Sequence, residues 1–235
     1  MLLAGLQKFT LIDYPGKIAA SVFTAGCNFL CSFCHNPELV DPFLMKNQPV
    51  LSESEIFEFL ESRRGDLEGV CITGGEPTLH KDLADFLSKI KSLGFSVKLD
   101  TNGSHPEMLE KLIKEKLVDY IAMDIKAPLE RYEEITGVAN LEKIKKSVEL
   151  IKNSDIDYEF RTTVVPRFHS KEDIIQIAKE ISSPKKPAKK YFLQQFYSIK
   201  TLDPELKKEK GYSKEILAEF CEAVKPYFEH CGVRY

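Results

Sequence analysis

A chain of 235 residues, 43% hydrophobic and 29% charged, has the material for one packed core, and single α/β barrels commonly run to this length. A formal net charge of −3 makes no case for nucleic-acid binding, and the opening MLLAGLQKFTLIDYPGK, broken by Lys8 and Asp13, reads as neither secretion signal nor membrane span. Six cysteines in such a chain argue for reduced thiols or metal ligands in a cytoplasmic protein, not for a disulfide framework.

The first strand is expected at Ile18–Thr24, and it feeds the run TAGCNFLCSFCHNPE. There Cys27, Cys31 and Cys34 set three thiols into eight residues with the spacing C-x3-C-x2-C. Three soft ligands on one loop can hold three corners of a cubane iron–sulfur cluster. Clusters usually take four cysteines, so one iron is left free for another ligand. The competing assignment is structural zinc, which favours four cysteines, or three with a histidine, commonly from paired C-x2–4-C units. A fourth ligand is hard to supply: His35 directly follows Cys34, and Cys71, Cys221 and Cys231 lie far along the chain.

Ser52 with Glu55 forms a capping box that opens a helix to about Ser62. A second strand, Gly69–Thr73, ends in ITGGEPTLH. Gly74 and Gly75 allow main chain to approach a ligand, Glu76 offers a carboxylate to a cation, and Pro77 stiffens the turn. Standing alone, that segment is only a tight turn. Cys71 inside the strand reads as buried core. Leu83, Phe86, Leu87 and Ile90 make one helical face that Gly94 can terminate. The third strand, Ser96–Asp100, runs into LDTNG, where Asp100, Thr101 and Asn102 offer oxygen ligands, and Pro106 suits a first helical turn.

The fourth strand, Asp119–Asp124, leads into IAMDIKAP; Asp124 and Lys126, two apart, project to one side as ligand groups or as a buried ion pair. Asn140 can cap a helix carrying Leu141, Ile144, Val148 and Ile151. Arg161 sits among apolar residues of the fifth strand, Tyr158–Val165, and a buried guanidinium needs partners. Ser170 and Ser213 can cap two further helices, and the last strand is expected at Tyr191–Phe196. The basic run Ser182–Lys190 before it reads as a solvated loop rather than a docking spot. Most of these strands are apolar runs of the kind covered on both faces.

Six β–α units in series give a parallel sheet with helices outside. Eight would close a barrel, so six give a partial, open (β/α)6 TIM-like barrel. It forms a single domain, 1–235, with its core at about 17–200 and a helical extension at about 201–235. Ligands bind at the carboxyl ends of parallel strands, and every polar cluster named above falls at such an end.

The segment GLQKFTLIDYPGKIAASVFTAGCNFLCSFCHNPEL, with GGEP, DTNG and D-x-K, resembles the radical S-adenosylmethionine (SAM) superfamily. Within it the chain is most similar to the enzymes that activate glycyl-radical enzymes, above all the branch serving anaerobic ribonucleoside-triphosphate reductase, over most of residues 1–200. The resemblance implies one [4Fe-4S] cluster on Cys27, Cys31 and Cys34, whose open iron chelates SAM. It implies Phe33 and the His35 backbone beside the adenine, and Gly74, Gly75 and Glu76 at the SAM amino end. Asp100, Thr101, Asn102, Lys126 and Arg161 then also contact SAM, and Asp100, Thr101 and Asp124 hold a monovalent cation near its carboxylate. No catalytic side chain is implied beyond the cluster-bound SAM, which yields a 5′-deoxyadenosyl radical that takes hydrogen from a glycine Cα of the partner. Reduced flavodoxin or ferredoxin would donate the electron. The last strand departs from the pyruvate formate-lyase type, which has a histidine near the ribose where YFLQQFYS offers Gln194, Gln195 and Tyr197. Two other readings stand beside this one: the same chemistry on a small molecule or another protein, and a non-catalytic metal-binding or electron-transfer module. The last leaves Gly75, Glu76 and Lys126 without a task.

Overall fold

A computed structural model describes residues 1–138 and 141–235. After β1 (Leu3–Thr10) and β2 (Ala19–Thr24) come α1 (Pro42–Met45) and α2 (Glu53–Ser62). Strands and helices then alternate: β3 (Gly69–Gly74), α3 (Leu83–Ser92), β4 (Ser96–Thr101), α4 (Pro106–Lys114) and β5 (Tyr120–Asp124). Next come α5 (Tyr132–Thr136), α6 (Leu141–Lys152), β6 (Asp157–Val164), α7 (Lys171–Ile181), β7 (Ala188–Gln195), α8 (Lys214–Val224) and β8 (Phe228–Arg234).

The strands form one sheet in the order β1 to β8, parallel from β2 onward, with β1 antiparallel to β2. The six strands expected from the sequence are β2 to β7, so the open barrel is as anticipated. Two edge strands extend it. β1 buries only Leu3, Ala4 and Thr10, and β8 (FEHCGVR) only Phe228, so neither carries the apolar pattern that marks a covered strand. The C-terminal segment therefore supplies the expected helix, α8, and then another strand. Among the described residues β1 and β8 do not pair, and the sheet stays open.

Local signals set the helix ends. Ser52–Glu55 and Ser170–Asp173 both form reciprocal capping boxes, and Ser213 accepts from the Ile216 N–H; each such cap is worth about 1 kcal/mol. Gly94 ends α3 at a φ of 93°, and Pro106 opens α4. Asn140 lies outside the described residues. Of the basic run expected as a loop over Ser182–Lys190, residues 183–187 are exposed, whereas Ser182 is buried and residues 188–190 already belong to β7.

The strands are covered differently on their two faces. Val70, Ile72, Val97, Leu99, Ile121, Met123 and Phe160 pack outward with Phe86, Leu87, Leu112, Val148 and Ile177 of the helices in the main core. The inner face is polar, which corrects the expectation of strands apolar on both sides. Cys71 belongs to that inner face: it is fully buried, yet its Sγ lies 3.7 Å from Lys98 Nζ. At the amino ends of the strands Tyr14, 3% exposed, packs with Ala19, Tyr120 and Ala122 and stops the base of the barrel.

Candidate active site

At the carboxyl ends of the strands lies a cavity of about 450 Å³. Every site residue expected from the sequence, from Cys27 to Arg161, lines it. So do Asp13, Thr73 and Thr163, which no sequence signal had marked, and Gln194, which the sequence offered on the last expected strand.

The cysteine loop leaves β2 at Thr24 and is pinned by its own main chain. Gly26 N donates to Leu39 O at 2.8 Å, Leu30 N to Thr136 O at 2.9 Å, and Cys34 N to Cys31 O at 3.0 Å. Burial pushes the Cys27 thiol up to about 12 and the Cys31 thiol up to about 11, and raises Cys34 as well. Bare thiolates are therefore costly here, and a metal group that displaces their protons would supply the missing compensation. Among the described residues no three His, Cys, Asp or Glu side chains are gathered closely enough for one ion. Three soft thiol donors from one loop line one cavity, a donor set that fits three corners of an iron–sulfur cluster.

The turn after β3 is locked onto this loop. Gly75 N donates to Thr24 O and Glu76 N to Gly26 O, both at 2.8 Å. A Cβ on Gly75 would stand 2.1 Å from Gly26 O, and one on Gly74, at φ +112°, 2.4 Å from Thr24 O. The two glycines thus let main chain approach main chain, beyond any service to a ligand. Glu76 departs from its expected part as a free acceptor. It is fully buried and its carboxylate is taken up by the protein: Thr78 N at 3.0 Å, the Thr78 hydroxyl, Thr101 Oγ1 at 2.8 Å and Asn102 N at 2.6 Å. It joins the GGEP turn to the DTNG turn.

The charged residues of β4 to β6 form one row. Arg161 Nε donates to Asp124 Oδ1 at 2.8 Å and its Nη1 to Asp100 Oδ2 at 3.3 Å. Lys126 Nζ reaches Asp124 Oδ2 at 3.0 Å, Thr73 Oγ1 reaches Asp100 at 3.1 Å, and the buried Lys98 closes on the other Asp100 oxygen. Burial works against ionising Asp124, but Arg161 and Lys126 outweigh it and hold its carboxyl well below the usual carboxylate range. Asp100 is likewise lowered, burial being overcome by Arg161 and Lys98. Both readings of Asp124–Lys126 hold together: the groups are ion-paired and line the cavity. Thr101 does not share this row, because its hydroxyl faces Glu76. The expected cation ligands Asp100, Thr101 and Asp124 therefore do not converge, and the Arg161 guanidinium stands between the two carboxylates.

Phe33 is buried against Phe168 and His169, with centroids 6.0 and 6.1 Å away. The His35 ring stacks on Phe196 at 5.8 Å. His169, missed in the sequence, is fully buried: Nδ1 accepts from Val165 N at 3.0 Å, which leaves Nε2 to donate to Lys126 O at 2.8 Å. It fixes the backbone that presents Lys126. Of the three side chains on the last expected strand, Gln194 faces the cavity, Gln195 turns to Phe196 O, and Tyr197 is exposed.

Residues 21–193 match the family model described as the radical SAM superfamily. A Methanocaldococcus jannaschii protein provisionally named a glycyl-radical enzyme activating enzyme is 36% identical over 239 residues, covering 99% of this chain and 95% of that one. A Thermococcus kodakarensis protein provisionally named a GTP 3′,8-cyclase is 28% identical over 205 residues, 82% of this chain and 66% of that one. Among solved structures, Streptococcus suis SuiB bound to precursor peptide SuiA shares the fold at a TM-score of 0.66 and 17% identity, covering 88% of this chain and 46% of that one. A domain of pyruvate-formate lyase-activating enzyme from Bacteroides vulgatus shares it at 0.56 and 19%, covering 69% of this chain and 98% of that one.

Proposed function

The chain belongs to the radical SAM superfamily, and from that premise we propose that it generates a glycyl radical on a partner enzyme, anaerobic ribonucleoside-triphosphate reductase. The observation that carries this reading is the end-to-end similarity to a protein bearing an activating-enzyme name, at matching length. The sequence resemblance in the opening segment and the open barrel, whose mouth admits a protein loop, support it further.

In this reading Cys27, Cys31 and Cys34 hold one [4Fe-4S] cluster and leave an iron for the amino and carboxylate groups of SAM. Bound together, cluster and SAM supply reductive cleavage to a 5′-deoxyadenosyl radical, the electron coming from reduced flavodoxin or ferredoxin in the cytoplasm. The chain's own part is to bind and to orient. Gly74 and Gly75 present main chain at the amino end of SAM. Glu76 acts at one remove, by keeping the two turns in register. Lys126 and Arg161 line the cavity as cations and face the SAM carboxylate. A monovalent cation between Asp100 and Asp124 would have to displace Arg161. Phe33 and His35 flank the adenine, and Gln194 takes the ribose side. Radical transfer requires the target glycine Cα to reach contact distance, so the partner's loop must enter the mouth.

The test is anaerobic. Reconstituted protein, SAM and dithionite are mixed with the reductase, and a glycine-centred doublet is sought by electron paramagnetic resonance. SAM cleavage without that doublet, for any glycyl-radical enzyme of the same organism, would overturn the proposal. It would favour a small-molecule substrate or another protein, a reading motivated by the similarity to the named GTP cyclase.

A further inference from the structure

Asn102, expected to touch SAM, lines the cavity, and its side-chain amide is also engaged within the protein. The residue is 6% exposed, and its backbone N–H and both side-chain polar atoms have partners within the protein. Its backbone N–H is given to Glu76 Oε2 at 2.6 Å, and its Oδ1 accepts from Ser104 N at 2.9 Å. The amide NH2 is then left to face Asn28 Oδ1 at 3.1 Å and Cys27 Sγ at 3.8 Å. A flipped amide would set oxygen against oxygen at Asn28 and nitrogen against the Ser104 N–H, so the orientation is determined by its neighbours. Asn28 is itself held, its Nδ2 donating to Ser104 Oγ at 3.0 Å, and Ser104 Oγ lies 2.9 Å from His105 Nδ1.

We propose that Asn102 is a positioning residue for Cys27: its amide, aimed by Asn28 and Ser104, hydrogen-bonds the Cys27 thiolate and sets the reduction potential of the cluster that thiolate holds. This rests on the reading of Cys27, Cys31 and Cys34 as cluster ligands. When one electron enters from an external reductant, negative charge on the ligating sulfurs grows, and no protein bond is made or broken. An N–H donor stabilises that state more than the oxidised one, because bonds to a more highly charged acceptor are stronger. Hydrogen bonds to the sulfurs are among the levers that set iron–sulfur potentials, and such outer partners also orient the ligand. Cys27 is the ligand this acts on: the Phe29 N–H also points at its Sγ, at 3.4 Å, so two donors converge there.

The experiment compares wild type, Asn102→Asp, Asn102→Ala and Asn28→Ala after anaerobic reconstitution. Iron and sulfide content, SAM affinity and the potential by paramagnetic-resonance titration are measured on each. Asn102→Asp keeps the oxygen that accepts from Ser104 N but replaces the donor with an acceptor. It should shift the reduction equilibrium at least about tenfold toward the oxidised cluster, roughly 59 mV for one electron. Asn102→Ala should shift it less and Asn28→Ala, which only frees the amide, least, with SAM affinity within about threefold of wild type throughout. Normal cluster content with an unchanged potential in Asn102→Asp and Asn28→Ala would overturn the positioning role and leave the cluster reading intact. An unchanged potential with SAM affinity lost would return Asn102 to the SAM site and overturn the proposal. Wild type that takes up no iron and sulfide would overturn the cluster reading itself, and the proposal with it.

Discussion

The two faces of one sheet differ in what they demand of a side chain. Outward, Val70, Ile72, Val97, Leu99, Ile121 and Met123 meet the helices through apolar contact alone. Inward, one residue along, Cys71, Thr73, Lys98, Asp100, Glu159 and Arg161 meet one another through charges and hydrogen bonds. The outer face needs volume and tolerates exchange among branched residues. The inner face needs each partner, because an unpaired charge in a poorly solvated space is expensive.

Arg161→Met should show the contrast at its largest. It preserves much of the side-chain volume but strands Asp100 and Asp124, so about 3–5 kcal/mol of unfolding free energy should be lost in a urea titration. The same corner predicts acid sensitivity. Asp100 and Asp124 have folded pKa values below their unfolded ones, so their contribution is complete above about pH 4 and is lost as pH falls from there through the lower folded values. Thermal melts from pH 6 downward should therefore fall more for wild type than for Asp124→Asn.

Gly75→Ala tests the join between turn and cysteine loop. The added Cβ meets a carbonyl oxygen that is main chain and cannot rotate away, so a loss of about 3 kcal/mol is expected, with poor iron uptake on reconstitution. Retention of full stability and iron content would mean that the two segments can separate freely. Glu76→Gln should cost about 2 kcal/mol, since one amide hydrogen pair must face donors in a fully buried site. Ile121→Val on the outer face should cost the least, about 1 kcal/mol, with SAM cleavage unchanged. If that exchange proved as damaging as Glu76→Gln, the distinction between the faces would not stand.

The outer face was also the one legible in the sequence. Its branched residues announced β2 to β7 within three positions, and Ser52, Ser170 and Ser213 announced their helices by local chemistry alone. The cavity was legible because its residues are rare types at strand ends, and Cys27 through Arg161 all face it. Direction was not legible. Nothing in GGEP tells that Glu76 points inward at Thr78, Thr101 and Asn102, since those partners come from two separate turns. His169 was hidden for a similar reason: its partners, Val165 N and Lys126 O, are main-chain groups. The edge strands escaped because Gln7, Lys8 and Phe9 of β1, like Glu229 and His230 of β8, are exposed and carry no burial pattern.

Tyr14 at the base has a consequence for traffic. Its ring is pressed on Tyr120 at 6.1 Å, and a Cβ on Gly69 would stand 2.9 Å from it, so the lower end of the barrel is stoppered. The molecule is a cup and not a tube. Traffic through the base is blocked, which leaves the mouth at the carboxyl ends of the strands and the unclosed side between β1 and β8 as the ways in and out.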